Sequence, residues 1–483
     1  MSIRLAAFAC VFALTGALAA PGWAQQTPPA AKTQTTKPAP AKPAATKPPP
    51  FVKDARAIVQ KYVDNNQFSG TVLVAKDGKP ILREGFGYAN RELEVKAKPE
   101  TVFRLGSITK QFTSASIMQL AEQGKLSIDD PISKYYDKAP AAWSKVTLKH
   151  LLSHRSGIPS YTDQPGFMVN KVMIDLTPDQ LIELTRDLPL QFEPGSSYRY
   201  DNSGYILLGY VIEKVSGQKY ADYLQEHIFT PLGMRHSGYD VASAIIPNRA
   251  TGYTLNAGQW RNSAFIAMTL PYAAGSLYST LDDLLIWEDA LYADKVVSKA
   301  SRELMSTDYG QRYGFGLGFG AVGDHKWIGH GGGINGFSTF VNRFPADGVT
   351  VVVLSNLQSA PSSRIADDLA RAYFGVPAPP PPAPLTPLVE VAVPAEVLDR
   401  YVGYYKLDEN FILTFKREGA KLTSQATGQN SFTMTATGQN VFQFQPARII
   451  ATFAVDGDKP SPSVTVNQGG QDRIAPRVAT PNG

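Results

Sequence analysis

The sequence predicts an α+β fold: an antiparallel sheet flanked by helices, with a helical insert, followed by a small all-β barrel. Strand-like segments occur at 71–83 and again at 315–354, whereas the region from about 125 to 270 is mostly helical and loop. One sheet built from both ends of the body explains this distribution. A proline-rich run at 376–387 then separates the body from a tail of short alternating strands.

Periodicity and turn residues place the elements of the body in order. Helical spacing comes first, then a β-hairpin with the turn Asp77-Gly78-Lys79, then a long helix that begins near Ser107 and stops at Gly124. Late strands and a final amphipathic helix close the body. The first helix is expected at 53–65 and the last helix at 363–374. The late strands are expected at 315–319, 336–344 and 349–354. A groove between sheet and insert is the expected place for Ser107.

The tail after the proline run predicts about six strands separated by glycine-rich turns, which favours a barrel or sandwich. The expected strands are 412–416, 421–425, 432–435, 441–445, 449–455 and 464–467. The predicted divisions of the whole chain are a signal peptide at 1–24, a leader at 25–50, the body at 51–375, a linker at 376–394 and the barrel at 395–483.

Residues 1–24 have the pattern of a secretory signal: Arg4, an apolar stretch, and small residues before a cleavage point. The chain's single cysteine, Cys10, lies inside this segment. A mature protein without cysteine excludes disulfides, thiolate nucleophiles and cysteine metal sites. We expect a periplasmic or secreted protein with no membrane span after signal removal.

The leader at 25–50 consists almost wholly of Pro, Ala, Thr, Gln and Lys, and this composition predicts disorder. Five basic residues and no acid within 1–50 account for the whole net charge of +5, so the rest of the chain sums to zero. A neutral folded part offers no field for nucleic acid, which excludes that partner. We interpret the lysines of the leader as part of a solvated spacer. The alternative is that they contact anionic wall or membrane surfaces.

The tetrad Ser107-Ile108-Thr109-Lys110 opens the long helix, so the amine at Lys110 returns to the face of the Ser107 hydroxyl. A serine needs such a base to become a nucleophile, and a helix N-terminus favours the developing negative charge. Chance also produces this spacing, as in Ser216-Gly217-Gln218-Lys219, where Gly217 indicates a helix C-cap. Taken alone, the first tetrad favours a polar N-terminal turn on a buried helix over a catalytic serine.

Two further elements carry suitable chemistry. In Tyr200-Asp201-Asn202, a phenol can shuttle a proton and an amide can hold a substrate carbonyl, although a tyrosine that closes a turn is the plainer reading. The run His330-Gly331-Gly332-Gly333 joins a titratable imidazole to backbone N–H groups suited to an oxyanion. A glycine-rich bulge with a surface histidine is the alternative there.

Taken in order, the three elements resemble the serine β-lactamase and penicillin-binding protein superfamily, in particular its class C β-lactamase-like branch, over residues 55–375. The start of the tail, Tyr401-Val402-Gly403-Tyr404-Tyr405, is similar to a lipocalin-like domain attached to some of these hydrolases. For that domain, covering the active site, dimerising and binding wall polymer all stay open.

The resemblance implies an acyl-enzyme mechanism in which Ser107 is the nucleophile, Lys110 its proton acceptor and Tyr200 a second proton carrier. It also implies substrate contacts from Asn202, His330, Gly331, Gly332 and Gly333, with an oxyanion hole formed by the N–H groups of Ser107 and Gly333. How Lys110 and Tyr200 divide the proton is left open by the sequence. No cofactor or metal is expected, since the six histidines lack metal-ligand spacing.

The third motif departs from the family pattern, because His330 and Gly331 stand where β-lactam-recognising members carry Lys and Thr. A neutral imidazole holds an anionic substrate less well than an ammonium does. We therefore expect an exported hydrolase of an ester, amide or D-amino-acid peptide, from the cell wall or elsewhere, with weak or no β-lactamase activity. The alternatives are a true class C-like β-lactamase or DD-carboxypeptidase, and a non-catalytic penicillin-binding-type sensor or binding protein.

Overall fold

The computed structural model describes residues 50–164, 167, 171–256, 258–378, 388–408, 411–427, 431–468 and 471–480. The predicted signal peptide and all of the predicted leader except Pro50 lie outside these residues, as do residues 379–387 of the predicted linker. Of the helices in the described ranges, none combines the length and the apolar composition needed to cross a lipid bilayer.

The strands of the body fall into one large sheet and several short pairings. In chain order they are β1 Gly70–Lys76, β2 Lys79–Phe86, β3 Tyr88–Asn90, β4 Val95–Lys96, β5 Phe103–Arg104, β6 Gly238–Tyr239, β7 Tyr253–Asn256, β8 Gln259–Asn262, β9 Leu277–Ser279, β10 Gly318–Val322, β11 His325–Ile334, β12 Phe337–Phe344 and β13 Val349–Ser355.

The large sheet is antiparallel, with the strand order β10-β11-β12-β13-β1-β2. Its centre joins the two ends of the body, since Val72 of β1 pairs with Val353 of β13. Both strands are buried almost throughout, which fits their nearly continuous apolar sequences and a sheet covered on both faces. The predicted sheet built from both ends of the body is thus confirmed.

The helices of the body divide between the two faces of this sheet. In chain order they are α1 Pro50–Asp64, α2 Thr109–Glu122, α3 Leu148–Leu152, α4 Pro178–Arg186, α5 Asn202–Ser216, α6 Tyr220–Leu224, α7 Thr230–Leu232, α8 Tyr272–Gly275, α9 Leu281–Tyr292, α10 Lys299–Met305 and α11 Ser362–Phe374. The first and last, α1 and α11, cover one face with an apolar cluster that includes Val59 and Ile365. The others build the second, larger core, in which Phe112 of α2 stacks on Trp287 of α9 with ring centroids 4.0 Å apart.

The second Ser-x-x-Lys tetrad lies at the end of α5, as its glycine predicted. Gly217 caps the helix at a φ of +75°, a left-handed conformation that glycine adopts without strain. The Ser216 hydroxyl donates to the Ile212 carbonyl at 2.6 Å, and Lys219 pairs with Glu213 at 3.2 Å. This serine and lysine therefore serve the helix end.

The tail forms a closed eight-stranded barrel preceded by helix α12 Ala395–Tyr401. Its strands are β14 Gly403–Asp408, β15 Phe411–Glu418, β16 Lys421–Ala426, β17 Phe432–Ala436, β18 Val441–Phe444, β19 Ile449–Phe453, β20 Ser463–Gln468 and β21 Gln471–Val478. The estimate of about six strands missed the first and last, which pair with each other through Tyr405 and Arg477. The last strand contains Pro476 and several charged residues, so it lacks the alternating apolar signal of a strand.

Candidate active site

Ser107 lies in a single 3₁₀ turn, Gly106–Ile108, that leads directly into α2. The sequence placed it in the first turn of the helix, and the structure places it one tight turn earlier. Strand β5 fixes this turn, because it pairs with β9 and the next residue, Leu105, donates its N–H to the Leu277 carbonyl at 2.8 Å. No side chain caps the N-terminus of α2, so the positive end of the helix is directed at the serine turn.

The glycine run of β11 lies against this turn. Strand β10 pairs with β11 only as far as Gly329, so from residue 330 onwards one edge of β11 is open. A Cβ on Gly332 would lie 1.8 Å from the Leu105 carbonyl oxygen, and one on Gly106 would lie 2.9 Å from the Gly333 nitrogen. Only glycine permits this approach of two backbones. The result places the Gly333 backbone beside Ser107, as an oxyanion hole from these two residues requires.

Lys110 is fully buried and makes three contacts through its amine. Its Nζ lies 2.9 Å from Asn202 Oδ1, 2.9 Å from the Ala274 carbonyl oxygen and 3.2 Å from Ser107 Oγ. The first two partners only accept hydrogen bonds, and a neutral amine has two N–H groups and one lone pair. With both hydrogens engaged, the lone pair is directed at the serine hydroxyl and can take its proton.

The charge state of Lys110 follows from its surroundings. Burial lowers its pKa to about 7, and the nearby Asp201 carboxylate opposes this effect. Asp201 is also buried, and burial raises its pKa to about 7. A substantial share of Lys110 is therefore neutral at physiological pH, as a proton acceptor must be.

Tyr200 and Asn202 reach the site from the start of α5. Asp201 caps this helix by accepting the Gly204 N–H at 2.8 Å, which directs its two neighbours toward Ser107. The Asn202 amide accepts from Lys110 and donates to Thr162 Oγ1 at 3.2 Å, so both of its ends are fixed. Burial raises the pKa of Tyr200, and the nearby Ser107 side chain opposes this rise, so the phenol keeps its proton at neutral pH.

His330 lies near these groups but is not a cation. Burial and the positive charge of Lys110 lower the pKa of this imidazole to about 4. Its Nδ1 lies 2.5 Å from the Gly331 carbonyl and its Nε2 lies 2.8 Å from the Tyr313 hydroxyl. The carbonyl can only accept, so the proton is on Nδ1 and Tyr313 donates to Nε2. The structure thus has a neutral imidazole at position 330, with both ring nitrogens hydrogen-bonded.

A cavity of about 420 Å³ opens beside Ser107. Its described walls are uncharged and combine residues of the serine turn, the insert and the end of β11. They are formed by Gly106, Ser107, Tyr161, Thr162, Phe167, Asn202, Ile266, Leu270, Pro271, Ala274, Gly275, Gly333, Ile334, Asn335 and Gln358. Of the eight site residues that the sequence indicated, Ser107, Asn202 and Gly333 line this cavity, whereas Lys110, Tyr200, His330, Gly331 and Gly332 do not.

These observations decide the family. The family model described as Beta-lactamase matches residues 55–375, most of the chain. The protein belongs to the Beta-lactamase family. It is a serine hydrolase, and the arrangement of Ser107, Lys110 and Tyr200 suits acyl-enzyme chemistry.

Similar proteins include both penicillin-binding proteins and an amidohydrolase. PbpX of Bacillus subtilis (strain 168), which is named as a penicillin-binding protein, is 33% identical over 307 residues, covering 63% of this chain and 75% of its own. The octameric penicillin-binding protein homologue from Pyrococcus abyssi is 28% identical with a TM-score of 0.61, covering 88% of this chain and 99% of its own. A D-stereospecific amidohydrolase from Streptomyces sp. is 25% identical with a TM-score of 0.57, covering 68% and 99%.

Three neighbours of the site were not assigned to it from the sequence. They are Asp201, Tyr313 and His154, the last of which packs among the aromatic rings beside the site. Its Nδ1 accepts the Asp201 N–H at 3.2 Å, and its ring lies 4.2 Å from that of Tyr200 and 4.7 Å from that of Tyr313. A sequence signal for Asp201 did exist, since aspartate is a favoured N-cap residue before an apolar helix. No local signal marks Tyr313.

Within the described residues, no group of three or more His, Cys, Asp or Glu side chains is placed to hold a metal ion. The arrangement suits acyl transfer by its side chains and backbone. Neutral Lys110 is placed to accept the proton of Ser107, the backbone N–H groups to receive an oxyanion, and protonated Tyr200 to donate.

The pH dependence of hydrolysis tests this assignment of protons. Because only neutral Lys110 accepts a proton and its pKa is about 7, kcat/KM for an activated ester rises with pH through about 7 and then levels. At pH 5 we expect about 1% of the plateau value, two pH units below that pKa. Because Lys110 and Asp201 interact, the midpoint belongs to the pair.

Asp201→Asn provides the comparison, since asparagine also caps helices well. The Asp201 carboxylate opposes the effect of burial on the pKa of Lys110. Removing it lowers that pKa further, so the midpoint of the rising limb moves to lower pH. The neighbouring imidazoles do not account for this limb, because the pKa of His330 is lowered to about 4 and that of His154 well below 6.5. A profile flat between pH 5 and 9, or unchanged in Asp201→Asn, contradicts Lys110 as the base.

Proposed function

We propose that the protein hydrolyses ester, amide or D-amino-acid peptide substrates that present no carboxylate to the site, D-amino-acid amides among them, and is a poor β-lactamase. The main support for this proposal is that the described site offers no cation to a substrate carboxylate. His330 is neutral and engaged by Tyr313, and the described wall of the cavity contains no lysine or arginine. Charge-assisted hydrogen bonds are about twice as strong as neutral ones, so their lack disfavours anionic substrates.

The proposed reaction has two halves. Ser107 Oγ bonds to the substrate carbonyl carbon as its proton moves to Lys110, and the N–H groups of Ser107 and Gly333 stabilise the oxyanion. Tyr200 then protonates the leaving alcohol or amine as the scissile bond breaks, and regains a proton from Lys110. In the second half, water attacks the acyl-enzyme and gives a proton to the Lys110–Tyr200 pair. The pair then protonates Ser107 Oγ as the acyl bond breaks.

The relatives support the substrate classes that we name. The similar Streptomyces protein is described as a D-stereospecific amidohydrolase, which motivates the D-amino-acid amide. The penicillin-binding names of other relatives motivate a direct comparison with a β-lactam. From residues 1–24 we further propose that the protein acts in the periplasm or outside the cell, on a small molecule or peptide that is free or derived from the wall.

A single purified preparation tests the preference. With p-nitrophenyl butyrate, D-phenylalanine amide, a D-Ala-D-Ala peptide and nitrocefin, we expect kcat/KM for the best ester or amide without a carboxylate to exceed that for nitrocefin by about 10- to 100-fold. The reason is the missing charge-assisted contact to the β-lactam carboxylate, a loss of about 1.5–3 kcal/mol. Nitrocefin turnover equal to that of the best ester would sink the proposal.

Ser107→Ala gives the background for every substrate in this panel. Turnover that persists in that variant comes from a contaminant or from another site. A panel in which nothing is hydrolysed, with no covalent adduct at Ser107, would favour the non-catalytic binding protein instead.

A further inference from the structure

The cavity beside Ser107 is polar at one end and apolar along the insert. Ser107, Asn202 and Thr162 lie at the polar end, next to Gly333. The insert contributes Phe167, Ile266 and Leu270, each at least nine-tenths buried. On the β11 side, Asn335 Nδ2 donates to the Ala264 carbonyl at 3.1 Å and Gln358 Oε1 accepts the Gly336 N–H at 3.1 Å, so both amides are engaged in holding neighbouring backbone.

Three large apolar side chains, Phe265, Met173 and Ile174, are exposed on segments next to the cavity wall, and we refer to them as its rim. Phe265 precedes the wall residue Ile266 and is 51% exposed, although aromatic side chains usually bury most of their surface. Met173 and Ile174 are 69% and 51% exposed. Their segment runs beside that of Ile266, since the Ala267 N–H donates to the Val172 carbonyl at 2.9 Å. Large apolar side chains exposed together beside a cavity indicate a binding surface.

The position of Tyr200 decides which part of a substrate occupies this cavity. The leaving group departs toward the residue that protonates it. The Tyr200 ring lies beside the catalytic pair, with its centroid 4.8 Å from Lys110 Nζ, but Tyr200 is not among the described residues that line the cavity. The acyl part lies on the other side of the reacting carbonyl. The cavity and its apolar rim are therefore placed to receive the acyl group.

We propose that the substrates of this protein carry an extended apolar acyl group, aliphatic or aryl, which fills the cavity and leaves it across Phe265, Met173 and Ile174. This inference rests on the proposed function, since it needs Ser107 to form an acyl-enzyme. It adds the chemical class of the acyl group and names rim residues as determinants of specificity. The alcohol or amine that leaves makes no comparable apolar contact.

Two series of soluble esters test the inference below their critical micelle concentrations. In p-nitrophenyl esters from acetate to octanoate, kcat/KM rises about fourfold per added methylene until the chain passes the rim, the factor that matches the burial of one methylene. In acetate esters from methyl to hexyl alcohol, kcat/KM changes less than about twofold per methylene. The opposite ranking, or no dependence in either series, overturns the proposal.

Rim variants locate the effect. Phe265→Ser and Ile174→Ser lower kcat/KM for the octanoate ester by about tenfold or more and leave the acetate ester within about twofold. Ile286→Ser is the matched control: Ile286 is 37% exposed on α9, which contributes nothing to the described cavity wall, and its loss leaves both esters unchanged. Equal effects of all three variants overturn the proposal.

The failures of the two proposals are distinguishable. Ser107-dependent hydrolysis of the acetate ester without a rise along the acyl series leaves the proposed function standing and removes only the apolar acyl group. Loss of all ester and amide hydrolysis removes both. Activity that appears only above the micelle concentration, or on phospholipid vesicles, makes the rim a surface-binding patch and also overturns the inference.

Discussion

Ser107→Ala and Lys110→Met each lower kcat/KM by at least about 10⁴, and the double variant loses no more than either single one. A nucleophile and its base act as one unit, so removing either removes the step that both perform. The structure supports this unit directly, through the 3.2 Å contact between Nζ and Oγ and the two acceptors that engage the other amine hydrogens. Ester hydrolysis measured for the three variants on one substrate gives the comparison.

Methionine suits Lys110 because it fills a fully buried site without leaving a charge. Asp201 then loses its buried cation, and its pKa, already raised by burial, rises further, so that it stays neutral. The second Ser-x-x-Lys tetrad, at the end of α5, is a decoy for this chemistry and provides the matched control. Ser216→Ala and Lys219→Met remove the same atoms at the same spacing and keep full activity. A fluorophosphonate adduct that survives in Ser107→Ala, or a loss in the decoy variants, would contradict the assignment.

The decoy also shows what the sequence could establish. Both tetrads have the same spacing of Ser and Lys, and Gly217 together with the companion elements at Tyr200 and His330 distinguished Ser107 from Ser216. That distinction was available from the sequence because each element is local, and the chain order of three local elements is specific. The central sheet was predictable for a similar reason, since Val72 and Val353 lie in strands whose apolar runs are visible without knowing their partners.

Properties that depend on tertiary surroundings could not be predicted in the same way. The lowered pKa of His330 depends on burial and on Lys110, and its tautomer depends on Tyr313, which is 17 residues away and carries no motif. The readiness of Lys110 to accept a proton depends on complete burial and on Asp201. The closing strand of the barrel depends on pairing with β14, which overrides the weak strand signal around Pro476.

From the sequence, the three glycines at 331–333 were interpreted as a source of backbone N–H groups for an oxyanion, and the structure shows which of them lies tightly against the Ser107 turn. Gly332→Ala should destabilise the protein and abolish most of its activity. An added Cβ would lie 1.8 Å from the Leu105 carbonyl oxygen and 2.4 Å from Thr339 Oγ1. The first atom belongs to backbone next to the Ser107 turn and already accepts from Thr339 at 2.7 Å, so β11 must move away.

That displacement has two measurable consequences. Overpacking costs about 1–3 kcal/mol in the free energy of unfolding, which a denaturant titration measures. Moving the Gly333 N–H away from the oxyanion lowers kcat by about 10²–10³, the usual effect of losing one such donor. The reduction in kcat should exceed the change in KM, because the donor acts mainly in the transition state.

Gly333→Ala is the matched control for the fold, since a Cβ there meets nothing within 4 Å and the N–H is kept. We expect its free energy of unfolding to stay within about 0.5 kcal/mol of the parent protein and its kcat to fall less than that of Gly332→Ala. Comparing the two variants separates the effect of displacing β11 from the effect of replacing a glycine by alanine. Equal stability and equal kcat in Gly332→Ala and the parent would show that close approach of β11 to the Ser107 turn does not form the oxyanion hole.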